Sequence, residues 1–115
     1  MAKEITREQL QARLADNPHL VLLEALPEKY YLDGRLPGAL HMPHDQVDQL
    51  AARLAPDKTA EVVVYCASKT CRNSHLAAGR LGQLGYGDVA VYAAGKQDWV
   101  EAGLPVESGP FAQAA

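Results

Sequence analysis

Apolar positions along this chain follow two different periods. His19-Leu20-Val21-Leu22-Leu23-Glu24, Glu61-Val62-Val63-Val64-Tyr65 and Asp88-Val89-Ala90-Val91-Tyr92 are apolar on successive residues rather than alternate ones. That pattern predicts short strands buried on both faces, as in a parallel sheet. Between them the apolar period lengthens to about 3.6 residues. Leu10 and Leu14 predict a helix over 7–15. Thr6 and Gln9 form its capping box, and Asn17-Pro18 stops it. Val47, Leu50, Ala51 and Leu54 predict a helix over 44–54 that Asp45 caps. Leu76, Ala77, Leu81 and Leu84 predict another over 73–84, with Gly85 just past its end. A last helix spans 96–102 and carries Trp99 as a core residue. A Pro37-Gly38 turn introduces a very short strand at 39–41, which Pro43 stops. Residues 27–35 read as a polar, aromatic connection in which Tyr30 and Tyr31 either shape a pocket wall or, the favoured reading, pack. The tail 108–115 is expected to be poorly ordered.

Strands alternating with helices predict an α/β fold, a mostly parallel sheet flanked by helices. The crossovers should be right-handed. Ligands in such sheets bind at the carboxyl ends of the strands. The strand ending at Tyr65 is the most apolar and therefore the expected centre.

A length of 115 residues suits one domain, with its core over about residues 3–107. The net charge of −3 argues against general nucleic-acid binding, because no basic excess exists to neutralise phosphates. No apolar run approaches the roughly 20 residues of a membrane span. Met1-Ala2-Lys3-Glu4-Ile5 runs straight into polar helical sequence without a secretory signal, so a cytoplasmic location is the default expectation. Two cysteines make no disulfide scaffold. Their spacing matches no zinc pattern, and neither a metal nor an organic cofactor is expected.

Candidate chemistry concentrates in Tyr65-Cys66-Ala67-Ser68-Lys69-Thr70-Cys71-Arg72-Asn73-Ser74. Cys66 sits where the central strand ends and a helix is about to begin. Backbone N–H groups and a helix N-terminus converge at such a point. A thiol there is pushed toward thiolate, and the same donors stabilise a bound anion. Most cysteines are only small buried hydrophobes. Here the polar, cationic loop and the helix start favour a nucleophile acting on an anionic substrate. Lys69 either steers anions, the reading its place at the loop tip favours, or is a solvated loop lysine, and Arg72 either points into the loop or lies on the helix surface. Ser68 and Thr70 either donate to a bound anion or satisfy loop backbone. Cys71 either resolves an oxidised Cys66 as a disulfide or packs at the helix start.

Four segments in order resemble the rhodanese domain family in its single-domain form. Leu22-Leu23-Glu24 is similar to the family's first-strand signature. Asp33-Gly34-Arg35-Leu36-Pro37-Gly38-Ala39-Leu40-His41-Met42-Pro43 is similar to its "GHIPGAINIP" segment. Tyr65-Cys66 opens the active-site loop. Gly95 to Val106, with Trp99 and Gly103-Leu104-Pro105, is similar to the "GGxxxWxxxGLPV" ending. The resemblance implies a sulfurtransferase. Cys66 would take sulfane sulfur from an anionic donor such as thiosulfate and hold it as a persulfide. It would then pass the sulfur to cyanide, a thiol or a partner protein, and a third role for Cys71 is then to accept that sulfur in a relay. The backbone N–H groups of Ala67, Ser68, Lys69, Thr70, Cys71 and Arg72 would cradle the sulfur or the donor.

Three departures bear on that reading. Glu24-Ala25-Leu26 stands where the family continues Asp-x-Arg, so Glu24 lacks the usual ion pair unless it finds another partner. Arg35 replaces a His and reads as a surface arginine at the rim. The family's arginine usually comes five residues after the cysteine, but here Cys71 is fifth and Arg72 sixth. Cys66-x5-Arg72 is the spacing of the phosphatases and arsenate reductases that resemble this fold, which makes them the alternative enzyme class. They usually carry a His before the cysteine, where this chain has Tyr65. Cys-Ala-Ser followed by a second Cys and by Ser74 resembles a subgroup of bacterial rhodanese-like proteins. A non-catalytic sulfur carrier or interaction module is the reading from outside enzymology.

Overall fold

The computed structural model describes residues 2–110. In chain order its strands are β1 (Lys3–Ile5), β2 (Val21–Glu24), β3 (Leu40–His41), β4 (Val62–Tyr65) and β5 (Val89–Tyr92). The helices are α1 (Arg7–Asp16), α2 (Glu28–Asp33), α3 (Val47–Leu54), α4 (Asn73–Gln83) and α5 (Gly95–Glu101). All strand pairs are parallel, in the order β1-β5-β4-β2-β3. The α/β class and the central place of β4 are as the apolar runs predict.

β4 shows why those runs are continuous. Val62 and Val64 face a core that includes Leu23, Met42, Ala51, Ala77 and Leu81. Val63 and Tyr65 face the other core, with Leu10, Leu22, Leu36, Tyr92 and Trp99. Helices cover both faces, so neither set of side chains meets water. The Trp99 indole donates to Pro105 O at 2.8 Å and ties α5 to the segment after it.

The capping box of α1 is present: Thr6 Oγ1 accepts from Gln9 N at 3.1 Å, and Gln9 Oε1 accepts from Thr6 N at 2.9 Å. Gly85 follows α4 with φ +100. α3 begins three residues later than the pattern predicts, and Asp45 does not cap it. Gln46 N donates to Pro43 O at 2.9 Å, and this turn occupies the residues expected to be helical. Leu76, expected on the buried face of α4, is 57% exposed.

Two elements escape the sequence pattern. β1 is three residues long with only Ile5 buried, and it exists through its backbone pairing with β5. α2 lies within the stretch read as a connection, and Tyr31 is its buried residue. Tyr30 on the same helix is exposed rather than packed.

Arg35 is buried, not at the surface. Its guanidinium lies 4.3 Å from the Tyr31 ring centroid and donates to Tyr31 O at 3.1 Å and to Gly109 O at 2.8 Å. Its backbone exchanges two 2.9 Å hydrogen bonds with Glu107. The chain is therefore tied down as far as Gly109, whose N–H also donates to Leu32 O. Residues 111–115 of the expected tail lie outside the described residues. Among the described residues, no helix is long and apolar enough to cross a membrane.

Candidate active site

The chain leaves β4 at Cys66, which is 1% exposed, and turns through residues 67–72 into α4. Two carbonyls of this loop meet the N-terminus of α5. Lys96 N donates to Cys66 O at 2.8 Å, and Gln97 N donates to Ala67 O at 2.8 Å. First-turn amides have no partner inside their own helix, so the loop satisfies them. Gly95 permits this approach. Its φ is +74, and a Cβ there would lie 2.6 Å from Cys66 O and 2.8 Å from Ser68 N.

The loop's amides are left for another use. Among the described residues, the N–H groups of Ala67, Ser68, Lys69 and Thr70 make no backbone hydrogen bond. The first amides of α4 lack intrahelical acceptors as in any helix. Cys71 N donates to Ser68 O at 3.1 Å and closes a turn that returns Cys71 to Cys66. Their Cα atoms are 6.4 Å apart and the two sulfurs are joined as a disulfide. Cys66 Sγ also lies 3.3 Å from Ser74 Oγ and 3.5 Å from Cys71 O. Ser74 is buried in the first turn of α4.

All seven sequence-predicted residues thus share one loop, with different exposures. Ala67, Lys69, Thr70 and Arg72 are exposed, whereas Ser68 and Cys71 are half-buried. The Ser68 and Thr70 hydroxyls lie 3.1 Å apart and hydrogen-bond to each other. Among the described residues, Lys69 and Arg72 make no ion pair, and both are exposed to solvent.

A buried polar network supports the loop from beneath. Tyr65, just before Cys66, donates its hydroxyl to Glu24 Oε1 at 2.6 Å and accepts from Leu36 N at 3.1 Å. Burial, then the Glu24 charge, pushes that hydroxyl far above its ordinary range, so it remains a neutral donor. Lys96 Nζ reaches Glu24 Oε1 at 3.1 Å and Tyr30 O at 2.9 Å. Lys96 therefore holds Cys66 through its backbone and Glu24 through its side chain. This is the partner that replaces the missing arginine of the first-strand signature. No sequence spacing could reveal it, because residues 24 and 96 meet only through the sheet. Gly95 was legible within the C-terminal motif, but its contact with the loop was not.

A half-open cleft of about 1000 Å³ lies away from this loop. It is lined by Tyr31, His41, His44 and Arg53 among others, and none of residues 66–72 borders it.

A family model described as a rhodanese-like domain matches residues 6–102. A sulfurtransferase of Allochromatium vinosum is 32% identical over 106 residues, covering 92% of this chain and 95% of that protein. The crystal structure of a thiosulfate sulfurtransferase from Pseudomonas aeruginosa matches with a TM-score of 0.83 at 28% identity. That match covers 95% of this chain but 21% of the other. A structure described as a rhodanese with anions from E. coli matches with a TM-score of 0.67 at 28% identity, over 78% of this chain and 99% of that one.

Proposed function

Because the chain belongs to the rhodanese-like domain family, we propose that it is a sulfurtransferase whose Cys66 carries sulfane sulfur as a persulfide. The carrying observation is the buried Cys66 at the carboxyl end of β4, at the head of a loop whose amides at Ala67 to Thr70 have no backbone acceptor among the described residues. In the reduced protein, the Ser74 hydroxyl and the N-terminus of α4 stabilise the Cys66 thiolate. The thiolate attacks the outer sulfur of an anionic donor such as thiosulfate. The donor's S–S bond breaks, sulfite leaves with the bonding pair, and the persulfide stays on Cys66. Loop amides aimed at the developing charge lower the barrier, and Lys69 and Arg72 attract the anion. A thiol, cyanide or a partner protein then accepts the sulfur.

Substituting Cys66→Ser should reduce sulfite release from thiosulfate to the uncatalysed rate while the melting temperature stays near wild type. Persistence of transfer in that variant would refute the mechanism. The Cys66-x5-Arg72 spacing favours a second reading, hydrolysis or reduction of a tetrahedral oxyanion. Turnover of an aryl phosphate or arsenate, with no sulfur gained from thiosulfate, would support it instead.

A further inference from the structure

Cys66 and Cys71 are the only cysteines of the chain, and the loop places them together. Building on the persulfide reading above, we propose that Cys71 is a resolving thiol that discharges the Cys66 persulfide as hydrosulfide and closes a Cys66–Cys71 disulfide. The active-site loop would then reduce sulfane sulfur as well as carry it.

The geometry supports this in four ways. The Cys71 N to Ser68 O turn holds the two Cα atoms 6.4 Å apart, within the roughly 7 Å a disulfide spans. The paired sulfurs put Cys71 Sγ against Cys66 Sγ, the inner sulfur of a persulfide, so attack there expels the outer one. Tethering by five residues gives Cys71 an effective concentration on the order of millimolar or more, which external thiols must exceed. The free amides of Ala67 to Thr70 receive the departing anion.

The chemistry balances. The Cys71 thiolate attacks Sγ of Cys66–S–SH, one S–S bond forms, the persulfide bond breaks, and HS⁻ leaves. Two cysteine sulfurs are oxidised by one electron each, and the sulfane sulfur gains two. A dithiol reductant then returns the loop to its starting state. It attacks Cys71, which is half-buried, rather than Cys66, which is 1% exposed. The leaving group is the Cys66 thiolate, already stabilised by Ser74 and the helix N-terminus.

The test treats fully reduced wild-type, Cys71→Ser and Cys71→Ala proteins with limiting thiosulfate and no external thiol. Sulfite and hydrosulfide are measured, and tryptic peptides are weighed. Trypsin cuts after Lys69, so a Cys66–Cys71 link keeps Thr70-Cys71-Arg72 attached to the Cys66 peptide. Wild type should release sulfite and hydrosulfide in equal amounts and give the linked peptide. Both variants should release sulfite, retain one extra sulfur on Cys66 and release no hydrosulfide. Wild type that releases sulfite yet keeps its sulfur overturns the resolving role and leaves the persulfide reading intact. Variants that release hydrosulfide at the wild-type rate overturn it equally. Absence of sulfite from all three proteins overturns the persulfide reading, and the resolving role with it.

Discussion

Glu24 is fully buried, and its carboxylate is held by donors from two distant parts of the chain, Tyr65 and Lys96. The two ends of the ion pair differ in their access to water: the Lys96 side chain is 17% exposed and Glu24 is 0%. Removing the lysine strands a buried charge, whereas removing the carboxylate lets the ammonium swing outward. Lys96→Met should therefore cost about 3–5 kcal/mol, and Glu24→Gln clearly less. Urea unfolding of both variants checks the order. Equal costs would mean that the pair is solvated in both states. Arg35 teaches the same lesson. A charged residue reads as surface until an aromatic ring and two carbonyls surround it.

At the scale of elements, the site is a loop clamped between two helix starts. α4 begins where the loop ends, and the first-turn amides of α5 hold the carbonyls of Cys66 and Ala67. Gly95 is the point of closest approach. Gly95→Ala combines a left-handed backbone that an L-residue resists with a methyl pressed on loop backbone. The expected cost is about 2–4 kcal/mol in denaturant unfolding, together with a loss of sulfur transfer. A variant with unchanged stability and activity would show that the loop does not rest on α5. Next to the edge strand β1, Thr6→Ala removes one half of the α1 capping box. It should cost about 1 kcal/mol and leave transfer unchanged.

Across the whole molecule, tyrosines connect the core to pH. Tyr31, Tyr65, Tyr86 and Tyr92 all have hydroxyls raised above the ordinary value of 10.0, with burial the first cause in each. Their neutral forms are favoured by folding, so their contribution is fully present below pH 10. It is lost as pH rises above 10, where the unfolded chain ionises them and the folded chain does not. Alkaline titration should show tyrosinate absorbance from these groups rising together with the loss of circular dichroism. Tyr65→Phe should shift that transition upward relative to its own stability at neutral pH. Ionisation of all four in a still-folded protein would contradict the prediction.

Local pattern decided much of this protein. Continuous apolar runs are the mark of strands covered on both faces, so β2, β4 and β5 were legible. The capping box of α1 was legible because its hydrogen bonds join residues three apart. Cys66 and its loop were legible because a strand end, a cationic loop and a helix start are contiguous. Tertiary structure alone decided the rest. β1 carries no apolar run and exists through pairing with β5, 87 residues later, as Ile5 lies beside Tyr92. α2 is too short for a period to show, and the burial of Tyr31 defines it. Lys96 stands in for the absent arginine beside Glu24, Gly95 admits the loop, and Arg35 anchors the chain to Gly109. The Glu24–Lys96 and Arg35–Gly109 contacts join residues 72 and 74 positions apart, Gly95 brings α5 onto the loop after β4, and no spacing encodes any of them. A sequence specifies its short-range hydrogen bonds and its apolar periodicity directly, whereas the partner of a buried charge is chosen only when the sheet has assembled.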